Sequence, residues 1–192
     1  DGPNSLDYKN NLVVLELDHL KGKKHLQQVV LLQLIAQLNN EFYLGDRRVP
    51  KILLVDEAWE AFEDPMVAKF LEGAFRRMRK AAAAPVVVTQ SLRDLYNSAS
   101  GEAIANNAAN VIVLRQNGEA IEALKESGRF NIGDYGYEML KSLHTEPGQY
   151  SEVLFRSGTA WGVGRFVVDR FSQLLYSTMA SEVAALRALR DS

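Results

Sequence analysis

Strand-like and helical segments alternate along most of this 192-residue chain. That alternation predicts an α/β fold: a mostly parallel central sheet, flanking helices and a C-terminal antiparallel hairpin. Three observations carry the prediction. Apolar runs at 12–17, 51–55, 86–89 and 111–114 have the length of strands. Segments with helical apolar spacing lie between them, which is how parallel strands are connected. From Gly148 onward the pattern changes to two strand-like runs, 149–156 and 159–169, joined at Ser157-Gly158.

Each element has local support. Leu12-Val13-Val14-Leu15-Glu16-Leu17 reads as a central strand. Leu26, Val29, Val30, Leu34, Ile35 and Leu38 recur at helical spacing and predict a helix over 23–42. Gly45-Asp46-Arg47-Arg48 is the turn into the next strand. Asp64-Pro65 opens a helix with an N-cap acid and a proline at the first helical position. That helix runs through Arg79-Lys80 into the alanines and stops before Pro85. Val86 to Thr89 is the third strand, and Ser91 with Asp94 forms a capping box. A helix covers 102–107, and Val111 to Leu114 is the fourth strand. Asn117 and Asp134 start two further helices, and Thr178 caps a last one over 179–190.

The run Lys51-Ile52-Leu53-Leu54-Val55-Asp56-Glu57 is the most informative stretch. It is an apolar strand ending in two adjacent carboxylates, at the edge where open α/β sheets place their ligand crevice. Successive strand residues leave on opposite faces, so the two acids point differently. P-loop NTPases need this pair: an Asp for Mg²⁺ and a nearby carboxylate for the attacking water. This is the Walker B pattern. The phosphate loop that would complete it, G-x-x-x-x-G-K-[ST], does not occur. Leu20-Lys21-Gly22-Lys23-Lys24 comes nearest but has no hydroxyl after the lysine. The chain opens on turn residues without Met, so the loop is expected upstream of Asp1. Residues 1–192 are thus expected to be the C-terminal portion of one nucleotide-binding domain, with 148–192 added at its edge.

Thr89-Gln90 ends the strand that follows the Walker-like strand and its helix. A right-handed crossover brings the two strand ends together, placing Gln90 near Glu57. Its amide can accept from water and donate to a phosphate oxygen. The run Phe75-Arg76-Arg77-Met78-Arg79-Lys80 holds more cations than a helix dipole needs. Such arginines can stabilise a transferring phosphoryl group across a subunit interface. Arg115, Arg129, Arg156, Arg165 and Arg170 are further cations that sequence alone does not rank.

Composition narrows the function classes. A formal net charge of -2 argues against a protein that coats nucleic acid by bulk electrostatics. With no cysteine there is no disulfide framework and no thiolate metal site. His19, His25 and His144 stand apart, without a second ligand at metal spacing. No apolar stretch reaches the roughly 20 residues that span a bilayer.

The ordered set of short motifs resembles a known family. Leu-Val-Asp-Glu-Ala-Trp (54–59), the Asp-Pro helix ending in Arg and Lys, and Val-Val-Val-Thr-Gln-Ser (86–91) come first. Gly-Gln-Tyr-Ser-Glu (148–152), Gly-Val-Gly-Arg (162–165), Val-Val-Asp-Arg (167–170) and Tyr-Ser-Thr (176–178) follow. Together they resemble the C-terminal part of the TraC-type ATPases of conjugative type IV secretion systems, over nearly the whole chain. The resemblance implies a RecA-like P-loop NTPase module that uses ATP and Mg²⁺. It implies a homo-oligomer, a hexamer, at the cytoplasmic face of the bacterial inner membrane. Other secretion components are the implied partners, and membrane association runs through them. The family energises assembly of the transfer channel and pilus. By this match Asp56 serves Mg²⁺ through water, with Thr89 also at the cofactor. Glu57 activates water, Gln90 senses the γ-phosphate, and an arginine among Arg76, Arg77 and Arg79 acts in trans. Two other readings compete: a docking and oligomerisation module without turnover, and a DNA-translocating motor, which the net charge does not favour.

Overall fold

The computed structural model describes residues 10–20 and 22–190. Along the chain the elements are α1 (Lys24–Asn39), β1 (Lys51–Val55), α2 (Ala58–Glu63), α3 (Pro65–Arg77), β2 (Ala83–Val87), α4 (Leu92–Tyr96) and α5 (Ala99–Asn107). They continue with β3 (Asn110–Val113), α6 (Gly118–Ser127), α7 (Gly133–Ser142), β4 (Thr145–Glu146), β5 (Tyr150–Ser157), β6 (Ala160–Phe166), α8 (Arg170–Tyr176) and α9 (Ala180–Arg190). They form two compact units: one runs to Gln90 and takes in Asn97–Asn107, and the other holds Ser91–Tyr96 and the chain from Ala108.

In the first unit β1 and β2 pair in parallel, Lys51 opposite Ala83 and Val55 opposite Val87. Leu53, Val55 and Val87 turn inward onto Val67, Leu71 and Ile104, while Ile52 and Leu54 stay exposed. β1 is therefore an alternating strand, half-buried on one face, although its sequence is continuously apolar. α3 begins as expected: Asp64 accepts from the backbone N–H groups of Met66 and Val67 at 2.8 and 3.2 Å, and Pro65 takes the first helical position. α3 gives way to a 3-10 turn, Met78–Ala81, in which Met78 is fully buried beside Phe42, Ala74 and Ala83.

Two strand expectations change. Residues 12–17 form no ladder, and Leu12 and Val14 are exposed. A strand needs a neighbour for its N–H and C=O groups, and an apolar run does not supply one. β2 begins at Ala83, before Pro85 rather than after it. The register turns the N–H and C=O groups of even-numbered β2 residues toward β1 and those of odd-numbered ones away. Pro85 thus lacks its N–H on the edge that is unpaired among the described residues, where no bond is lost.

In the second unit β5 is bordered on both sides. β6 pairs along it antiparallel from Ser151–Phe166 to Ser157–Ala160, around a turn whose Gly158 has φ of 59°. Its other edge carries β3 and β4, both antiparallel. The fourth strand, expected to extend the parallel sheet, joins this hairpin instead. The parallel part of the α/β fold is therefore the β1–β2 pair. Strand type was legible from sequence; the choice of partner depends on contacts between distant segments. Two expected caps hold: Asp94 accepts from the Ser91 N–H at 3.0 Å, and Asn117 accepts from the Glu119 N–H at 3.0 Å. The expected Thr178 cap does not form: α9 starts at Ala180, and it is the Ser177 hydroxyl that accepts from the Met179 N–H, at 3.1 Å. Among the described residues no helix is long and apolar enough to cross a membrane.

The second unit's core holds Phe130, Leu140 and Leu154, with the Tyr137 hydroxyl donating to the Phe130 carbonyl at 2.5 Å. Burial raises the Tyr137 pKa above its ordinary value, partly offset by Lys125. A raised pKa contributes stability that is complete below the unfolded value, about 10, and is lost as pH rises through the folded one. Tyr137→Phe should therefore cost about 1 kcal/mol near neutrality. It should also flatten the loss of stability above about pH 10. Urea denaturation at several pH values checks both, and an unchanged alkaline slope would refute the assignment.

Candidate nucleotide site at the end of the parallel strands

The backbone builds the site. Past the end of β1, the Val88 N–H donates to the Val55 carbonyl at 2.9 Å, and the Ala58 N–H donates to the Val88 carbonyl at 2.9 Å. Asp56 and Glu57 must turn within the two residues between these ties. Glu57 takes the turn in the left-handed region, φ 48° and ψ 43°, rare for a residue with a side chain. Ala58, which follows it at the start of α2, is wholly buried. The Asp56 carboxylate supports the turn by accepting from the Glu57 N–H at 2.9 Å through Oδ1. Its Oδ2 has no partner among the described residues.

The turn aims Glu57 toward β2. Gln90, 33 residues on, donates its amide to both carboxylate oxygens, at 3.1 Å to Oε1 and 3.2 Å to Oε2. The Trp59 indole N–H donates to Oε2 at 2.6 Å. Asp56, Glu57 and Gln90 thus gather at the C-terminal edge of the parallel pair, and half-buried Thr89 sits beside Gln90 in the chain. Trp59 was not singled out from the sequence. It lies two residues after Glu57, and only the left-handed turn bends the carboxylate onto its indole.

The arginines lie at the other end of the strands. The Lys51 N–H donates to the Ala82 carbonyl at 3.0 Å, so the chain leaving α3 enters the sheet at the start of β1. Five residues of strand then separate that edge from Asp56 and Glu57, roughly 16 Å at about 3.3 Å per residue. Arg76 is paired with Glu72 at 2.8 Å. Arg77 lies over the Tyr43 ring, 5.8 Å from its centroid, and its Nε donates to the Gly73 carbonyl at 3.4 Å. A Cβ at Gly73 would come within 2.7 Å of the Arg77 guanidinium. Arg79 is exposed and makes no side-chain bond among the described residues. In the second unit Arg165 and Arg170 are paired with Glu152 and Glu182.

A family model described as the TraG P-loop domain matches residues 3–191. The chain belongs to that family. Protein TraC of Escherichia coli (strain K12) is 29% identical over 125 residues, which is 62% of this chain and 14% of TraC. The structure of VirB4 of Thermoanaerobacter pseudethanolicus matches with a TM-score of 0.64 at 21% identity, over 90% of this chain and 46% of that one. The first supports the TraC-type resemblance read from the motifs, and the second supports the P-loop NTPase fold.

A TraG P-loop domain implies a nucleotide, generally with Mg²⁺. The residues present fit part of that requirement. Asp56 offers a hard oxygen for the metal's water shell. Glu57 offers a carboxylate held in place, and Gln90 an amide that can donate to a phosphate oxygen. The chain has no G-x-x-x-x-G-K-[ST] loop to cradle the phosphates.

The turn itself can be tested. Glu57→Ala and Glu57→Gly both remove the carboxylate, but only glycine adopts φ near +50° without steric cost. Glu57→Gly should be the more stable of the two by about 1 kcal/mol in urea denaturation. Equal stabilities would mean that the two backbone ties do not impose the turn.

Proposed function

We propose that this chain is the Walker B portion of an ATPase that energises conjugative type IV secretion. The observation that carries the reading is the Glu57 carboxylate, held by Gln90 and Trp59 beside Asp56 at the end of the parallel strands. Bound ATP with Mg²⁺ supplies the phosphoryl group to be transferred. Asp56 would hold the metal through its water shell. Glu57 takes a proton from the attacking water, and the Gln90 amide orients toward the terminal phosphate. Thr89 lines the same edge. The site is completed by a phosphate loop elsewhere in the longer protein, whose partners are other components of the secretion machine at the inner membrane.

The arginines act from a neighbouring copy in a homo-oligomer. Their separation from Glu57 along β1 is too long for action within one copy. Arg79 is the best placed of the three, because Arg76 is engaged by Glu72 and Arg77 by Tyr43 and Gly73. A head-to-tail interface then brings the cationic edge of one copy to the acidic edge of the next.

In a protein carrying this chain together with its phosphate loop, Glu57→Gln should lower ATP turnover by about 10² to 10⁴. Nucleotide binding, followed by fluorescence titration, should persist. Unchanged turnover would remove Glu57 from the mechanism. Mixing Glu57→Gln protein with Arg79→Ala protein should restore part of the turnover, since some interfaces then pair an intact Glu57 with an intact Arg79. No recovery in mixed oligomers would exclude Arg79 as the residue acting in trans.

A further inference from the structure

We propose that Trp59 is a positioning residue for Glu57, a role resting on the reading of Glu57 as the base. Three features support it. The indole N–H to Oε2 distance of 2.6 Å is short for a donor of this type, as expected when the acceptor is an ionised carboxylate. Glu57 sits in a left-handed backbone conformation, and its carboxylate reaches the indole two residues on. Gln90 cannot be the permanent restraint. Its single amide nitrogen is spread over both carboxylate oxygens at 3.1 and 3.2 Å, and the same amide is the group that must turn to a phosphate.

Trp59 has no such second duty. It sits at the first turn of α2, next to buried Ala58, which the Val88 carbonyl ties to the end of β2. The backbone that carries the indole, which is itself 38% exposed, is therefore tied to the frame of the site. When Gln90 turns to a phosphate, the indole N–H keeps its hold on Oε2.

The first experiment uses this chain in a Trp161→Phe background, where Trp59 is the remaining tryptophan. Glu57→Gln should shift the Trp59 emission, because the charged acceptor of its N–H is lost. An emission maximum that stays put would overturn the contact, whatever the fate of the ATPase reading. The second uses the longer protein with its phosphate loop. Trp59→Phe keeps the ring and removes the donor. It should lower kcat by about tenfold, the effect of one hydrogen bond to a charged group, with KM little changed. In a Glu57→Gln background the same change should have almost no further effect, since Trp59 would act only through Glu57. Equal losses in both backgrounds would mean that Trp59 serves folding alone. If Glu57→Gln leaves turnover intact while the emission shift is present, the assignment of Glu57 fails and the Trp59 contact survives.

Discussion

Two backbone hydrogen bonds, Val88 N–H to the Val55 carbonyl and Ala58 N–H to the Val88 carbonyl, govern the rest of the site. They extend the parallel ladder past the end of β1 and leave Asp56 and Glu57 a fixed span to cross. The left-handed turn at Glu57 follows from that span. From the turn follow the direction of the carboxylate, the reach to Gln90 and the meeting with Trp59. Residues held in sparsely populated backbone regions persist when their surroundings over-determine them, and they cluster at functional sites. Here the over-determination is visible: ladder bonds on either side, a buried alanine next in the chain and a carboxylate bond from Asp56.

The same ladder separates opposite charges. A parallel pair joined by a helix returns the chain to the edge it started from. The cations closing α3 therefore fall at one edge of the sheet and the acids at the other. Within a copy this keeps Arg79 away from Glu57. In the head-to-tail oligomer proposed above, that separation would become complementarity, which steers association and fixes register more than it adds affinity. Ile52 and Leu54 are exposed on the outer face of β1.

What the sequence disclosed was chiefly local chemistry. Asp64-Pro65, Ser91 with Asp94, and Asn117 each act within a few residues, and each cap lies where its side chain predicted. The nearness of Glu57 and Gln90 was also legible, although 33 residues separate them, because the hand of the crossover is nearly invariant. Partner choice was not legible. The run 111–114 reads as a strand in any sheet, and only the edge of β5 made it antiparallel. Leu12 to Leu17 has a strand's composition without a paired neighbour. Trp59 was hidden for a different reason. Its contact depends on a positive φ at a glutamate, which neither composition nor periodicity signals.

Pro85 has one more effect. On the open edge of β2 it leaves a gap in the row of donors, so a foreign strand laid against that edge would lose a bond at its centre. β1 has no such gap: the N–H and C=O groups of Ile52 and Leu54 face outward beside exposed apolar side chains. Among the described residues, the parallel pair is thus guarded along β2, the strand that delivers Gln90, and left with its full row of donors and acceptors along β1.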